Sequence, residues 1–165
     1  MRLPTKNATS QTVDPNHPPG NLIDQDTNTF YSSSDVNSSG KACVQIELLD
    51  IGNVHEVIIR NPVNCCDNNT TSLEIRVGDN ETTMQQTDTF PKNQVCGKYD
   101  GPQKNGDVIK IQCEQPLQGK YATIQNIGGN NTAIRIAEVE LFGTFEGKQQ
   151  YCNFFFTVKN KTVNV

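Results

Sequence analysis

Two groups of residues in this chain have types and spacing suited to chemistry. The first is Asn21-Leu-Ile-Asp24-Gln-Asp26, which sets hard oxygen donors close together in a polar stretch. Calcium takes six to eight oxygens from carboxylates and backbone carbonyls. Spacing alone suits a calcium loop and a row of ordinary loop acids equally well. Glu138 joins this group from the far end of the chain. It interrupts the apolar alternation of Ile134-Arg-Ile-Ala-Glu-Val-Glu-Leu141, where a carboxylate needs a partner. The second group is Asn64-Cys65-Cys66-Asp67. Neighbouring Cα atoms lie about 3.8 Å apart across a trans peptide, short of the usual disulfide span of about 4.4–6.8 Å. Such a pair either closes one tight apolar ring or sends each sulfur to a distant partner.

The six cysteines are Cys43, Cys65, Cys66, Cys96, Cys113 and Cys152. An even number in a small chain reads as disulfides. Zinc is disfavoured, because only His17 and His55 could join and no Cys-x-x-Cys pair exists. Seven Asn-x-Ser/Thr sites, at Asn7, Asn37, Asn68, Asn69, Asn80, Asn130 and Asn160, point the same way. The 19 Asn and 23 Ser or Thr would give about two or three by chance. Disulfides and N-glycosylation together imply an extracellular protein, secreted or an ectodomain fragment. The opening Met1-Arg2-Leu3-Pro4-Thr5-Lys6 is not a secretion signal, since no apolar run follows it.

Catalysis is not expected. There is no Gly-x-Ser-x-Gly, no nucleophile and His at a readable spacing, and no His metal triad. The formal net charge of −4 argues against nucleic acid as a partner. No apolar stretch approaches the roughly 20 residues that span a bilayer.

The elements that must carry these groups read as strands. Val44–Leu48, Val57–Ile59, Leu73–Val77, Val108–Cys113, Tyr121–Ile124 and Ile134–Leu141 show period-two alternation or short β-branched runs. Turn signals separate them, at Gly52-Asn53, Gly78-Asp79-Asn80, Gly101-Pro102 and Gly128-Gly129. No apolar stripe holds helical spacing for three turns. With 165 residues the chain suits one all-β sandwich or jelly-roll domain. The run Tyr151-Cys-Asn-Phe-Phe-Phe156 needs cover from solvent.

Several segments in order resemble the F-type lectins, or fucolectin-like domains. They are Asn21-Leu-Ile-Asp-Gln-Asp26, Val57-Ile-Ile-Arg-Asn-Pro-Val-Asn-Cys-Cys-Asp67, Leu73-Glu-Ile-Arg-Val-Gly78, Gly119-Lys-Tyr-Ala-Thr-Ile124 and Ala137-Glu-Val-Glu-Leu-Phe-Gly143. The resemblance implies a discoidin-like β-jelly-roll (the F5/8 type C kind) over residues 21–145. A polar segment, 1–20, would precede it, and an extension, 146–165, would pack on it. It implies structural calcium on Asn21, Asp24, Asp26, Ser32, Ser33, the Ala137 carbonyl and Glu138. It implies disulfides Cys65–Cys66 and Cys96–Cys113, and under that match Cys43 and Cys152 remain to pair with each other.

The family grips fucose with one His and two Arg beside the paired cysteines. Those roles fall here at Asp35, Pro62 and Asn69, none of which is His or Arg. The implied module is therefore a carbohydrate-binding one with altered or lost fucose specificity. Asp35, Arg60, Asn64, Cys65, Cys66 and Asn69 are its candidate ligand contacts. Glycans at the overlapping sites Asn68 and Asn69 would crowd that pocket. Expected partners are a glycan or glycoprotein, with the chain acting as an oligomer or within a larger multidomain protein. The competing reading is a protein–protein interaction or adhesion domain on the same scaffold.

Overall fold

The computed structural model describes residues 1–11, 13–33, 42–66, 71–81, 92–128 and 133–145. Its strands are β1 (Thr5–Ser10), β2 (Tyr31–Ser32), β3 (Cys43–Arg60), β4 (Leu73–Gly78), β5 (Gln94–Tyr99), β6 (Val108–Asn126), β7 (Arg135–Ile136) and β8 (Glu138–Phe145). A single 3₁₀ turn, Pro19–Leu22, is the helical element among the described residues.

Two long strands build both layers of an all-β jelly-roll sandwich. Residues 44–48 of β3 pair with β1, and residues 43–47 pair with 121–125 of β6. Residues 52–60 of β3 pair instead with β8 and with 108–119 of β6. One layer thus runs β1-β3-β6-β4-β5, and the other sets β8 and the first part of β6 on either side of β3. Alternation decides which side chains face inward. Val44, Ile46 and Leu48, with Leu73, Ile75, Val77, Ala122 and Ile124, face Val57, Ile59, Ile109, Ile111, Val139 and Leu141 in one buried core.

The expected strands Val44–Leu48 and Val57–Ile59 are two halves of β3, and Val108–Cys113 and Tyr121–Ile124 are two halves of β6. Ile134–Leu141 is divided at Ala137, whose N–H bonds the Arg60 carbonyl at 2.9 Å. Gly143 is required where β8 crosses β3, because a Cβ there would meet the Asn53 carbonyl oxygen.

Residues 1–20 do more than lead into the domain. β1 forms the edge beside β3. Residues 1–3 run along β8, with Leu3 N–H on the Leu141 carbonyl at 2.7 Å and Gly143 N–H on the Met1 carbonyl at 2.9 Å. One segment therefore covers an exposed edge in each layer. On the other side, the Cys96–Cys113 disulfide ties β5 to β6.

Candidate functional site at the disulfide end of the sandwich

Strand register gathers several connections at one end. Arg60, the last residue of β3, lies opposite Val108 of β6 and Glu138 of β8. The chain leaving Arg60 forms the loop carrying Cys65 and Cys66, which are joined in a disulfide with Cα atoms 3.7 Å apart. Cys66 takes φ 76°, a left-handed conformation that few residues other than glycine adopt. Asn64 is exposed, Cys65 and Cys66 are half-buried, and Val63 is 50% exposed beside them. The knob is therefore an apolar patch offered to solvent.

The turn before β6 supports this loop. Gly106 N–H donates to the Pro62 carbonyl at 3.0 Å, and Asn61 N–H donates to the Asp107 carbonyl at 2.9 Å. The Asn61 Nδ2 donates to the Lys104 carbonyl at 2.6 Å. Inside the turn, Lys104 N–H donates to Asp107 Oδ2 at 2.9 Å.

Arg60 is turned toward β8. Its Nε and Nη2 donate to Glu140 Oε2 at 3.2 and 3.0 Å. Arg2 completes the cluster, with Nη1 3.2 Å from Glu140 Oε1 and Nη2 3.4 Å from Glu138 Oε1. Arg2 and Glu140 escaped the sequence reading, and so did the support this turn gives the loop, although Gly101-Pro102 had marked the turn itself. The alternation Glu138-x-Glu140 was the available signal, since it puts both carboxylates on one face of a strand.

The remaining candidate oxygens lie around the 23–29 loop. Gln25, at φ 67°, donates its N–H to Glu138 Oε2 at 2.9 Å, which ties this loop directly to β8. Asp24 accepts from Asp26 N–H at 2.9 Å and from the Thr29 hydroxyl at 2.7 Å. Asp26 Oδ1 accepts from Asn28 N–H and from Asn28 Nδ2, and those two hydrogen bonds hold its carboxyl below the usual range. Asn21 Nδ2 donates to the Phe30 carbonyl at 2.9 Å. The short β2–β7 ladder brings Ser32 and Ser33 near residues 134–136; the Ser33 hydroxyl accepts from Ile134 N–H at 2.9 Å. Ala137 is fully buried.

Glu138 is 2% exposed. Burial pushes its carboxyl up to about 7 against the opposing pull of the Gln25 N–H and Arg2, and the nearby Asp24 and Glu140 charges push it the same way. A cleft of about 360 Å³ lies alongside, lined by Arg2, Leu3, Pro4, Thr5, Ile23 and Gln25. Among the described residues, no three His, Cys, Asp or Glu side chains form a group that could hold a metal ion unaided.

Asp35 and Asn69 lie outside the described residues. So do Cys152, the extension 146–165 and the glycosylation sites Asn37, Asn68, Asn130 and Asn160. Cys43 is a buried thiol, and burial pushes it up to about 12. Asn7 is exposed on β1, and Asn80 is exposed while its Nδ2 donates to Asn93 Oδ1 at 3.1 Å. His17 stacks on Phe30 with ring centroids 3.9 Å apart.

A family model described as F5/8 type C domain matches residues 5–139. The chain belongs to the F5/8 type C domain family. A search of curated proteins finds no match. Among solved structures, a fucolectin (F-lectin) from striped bass (Morone saxatilis) serum shares the fold at TM-score 0.70 and 20% identity, covering 87% of this chain and 49% of that one. A family 32 carbohydrate-binding module from Clostridium perfringens NanJ, solved with galactose, gives TM-score 0.66 and 16% identity over 82% and 91% of the two chains. A Streptococcus pneumoniae fucose-binding module gives 0.62 and 16% over 84% and 91%. At these identities the likeness is one of fold. The F5/8 type C match begins within β1, so the family segment includes the strand that the sequence reading left outside its domain.

Proposed function

We propose that this F5/8 type C domain is an extracellular, calcium-stabilised carbohydrate-binding module whose fucose preference is altered or lost. The observation that carries the reading is the half-buried Cys65–Cys66 knob, with exposed Val63 and Asn64 beside it, at the loop end of a sandwich shared with sugar-binding modules. A sugar ring packs its C–H face on an apolar surface and meets polar groups at its rim. Val63 and the disulfide supply the first, and Asn64 is a polar neighbour. Arg60 is held by Glu140, which weakens its case as a free fork for sugar hydroxyls.

Calcium would draw on Asn21, Asp24, Asp26, Ser32, Ser33, the Ala137 carbonyl and Glu138. The donor chemistry fits a hard divalent cation. Glu138 is a buried carboxylate pushed up by burial and by a neighbouring Asp24 charge, and a cation there would offset both effects. The ion's part would be structural, reinforcing the link between the 23–29 loop and β8 already made by Gln25 and Glu138.

A glycan array probed with native and enzymatically deglycosylated protein tests the function. Retention of glycans without terminal fucose is the expected result. An array silent in both forms would favour the alternative, a protein–protein interaction domain that uses the same apolar patch.

A further inference from the structure

The Cys65–Cys66 bridge joins adjacent residues and so closes a ring within its own loop. It ties that loop to nothing else, whereas Cys96–Cys113 joins β5 to β6. The knob is stiff in itself, but its orientation must be set by other bonds. Among the described residues, every hydrogen bond from residues 61–66 to the rest of the protein ends on the turn at 104–107.

Asn61 makes two of these bonds. Its backbone N–H donates to the Asp107 carbonyl at 2.9 Å, and its Nδ2 donates to the Lys104 carbonyl at 2.6 Å. One residue thus grips both ends of one turn. Between those ends, Gly106 N–H donates to the Pro62 carbonyl at 3.0 Å. The turn is firm on its own account. Asp107 N–H donates to the Lys104 carbonyl at 3.2 Å, and Lys104 N–H donates to Asp107 Oδ2 at 2.9 Å. Buried Gln103 adds its Nε2 to the Asp107 carbonyl at 3.3 Å. Gly106 takes φ 73°, a left-handed value that suits glycine, and a Cβ there would lie 3.6 Å from Val63 Cγ1. Val63 therefore rests against the tip of the turn. Asn61 itself is 2% exposed, so it cannot touch a ligand. Its hydrogen bonds lie out of water, where they are stronger than at the surface.

We infer that Asn61 is the positioning residue of this site: by holding both ends of the 104–107 turn it, and not the disulfide, fixes where Val63, Asn64 and the Cys65–Cys66 ring face a ligand. A ligand that meets a knob already held in place does not bear the entropy of ordering it. That a ligand is met there rests on the proposed function; how the knob is held does not.

Nitrogen relaxation and hydrogen exchange on the ligand-free protein test this, with Asn61→Ala beside wild type. Wild-type order parameters near about 0.85 are expected at Val63, Asn64 and Cys66, falling below about 0.6 in the variant. Exchange of the Gly106 amide should quicken at least about tenfold, while Ile59 and Ile111 in the core keep their protection. On the glycan array, the variant should need about tenfold more protein for equal retention. Unchanged loop order and Gly106 exchange would overturn the assignment. So would changes spread evenly over the loop, Ile59 and Ile111, which mark general destabilisation. An array silent with wild type would count against a sugar ligand and leave the relaxation result to decide the role of Asn61. Should Asn61→Ala not fold, Asp107→Ala takes its place, at the exposed end of the turn, by removing the carboxylate that holds Lys104 N–H. The same loosening confined to residues 62–66 is then expected, and an unaltered loop would overturn the assignment.

Discussion

Arg60 reaches diagonally across the β3–β8 pairing, past its register partner Glu138, to Glu140, with Nε and Nη2 of the arginine both on Oε2 of the glutamate, at 3.2 and 3.0 Å. Arg60 is thus fixed by the scaffold at the very end where a ligand would be gripped. The side chains are 37% and 13% exposed, so water screens the pair in part. Arg60→Ala should cost about 1 kcal/mol, or about 2–4 °C in Tm, and leave glycan retention on the array unchanged. Thermal melts read alongside the array check both halves. Loss of all retention with no change in melting would make Arg60 a ligand contact instead.

Calcium binding predicts a stability that depends on the ion. At about 100 times its Kd, a ligand confined to the folded state adds about 2.7 kcal/mol, or about 5–10 °C here. Chelation with EDTA should therefore lower the melting temperature, and adding calcium back should restore it. Glu138→Gln should keep the bond from Gln25 N–H yet lose sensitivity to the chelator. A wild-type melt identical with and without EDTA would remove calcium from the account.

Glu74 on β4 gives an independent prediction in acid. Arg76 Nε lies 2.7 Å from Oε1 and Lys98 Nζ lies 3.1 Å from Oε2. Burial pushes this carboxyl up, but the hydrogen bonds and charges of Arg76 and Lys98 together outweigh burial and hold it below its usual value of 4.5. A depressed carboxyl stabilises the fold above its unfolded pKa, and that contribution is lost as pH falls through the folded pKa. Glu74→Gln should cost about 1–3 kcal/mol at neutral pH. Urea titrations should show the gap between wild type and variant closing as pH drops below about 4.5. A gap that is constant with pH would show that charge plays no part.

Much of the fold was legible because alternation of apolar with polar residues sets which face is buried, as in Val44, Ile46 and Leu48. That the runs on either side of Gly52 make one strand was not legible, since each half takes partners remote in sequence. β1 was missed because Thr5–Ser10 buries only Ala8, and an edge strand needs little apolar surface. β5 was missed because a bulge opposite Ile75 and Arg76 breaks its alternation. At the site, Glu138 stood out as a carboxylate in an apolar strand. Gln103 did not, because its burial comes from a turn folding against residue 61, far away in the chain.

The central claim, that a sugar is held at the Cys65–Cys66 end, is tested most directly by titrating isotope-labelled protein with monosaccharides while following backbone amides by NMR. The account predicts saturable shifts at Val63, Asn64, Cys66 and Gly106 with a sugar other than fucose, and none with fucose at millimolar concentration. Saturation by fucose, or shifts confined to residues far from this loop, would contradict it.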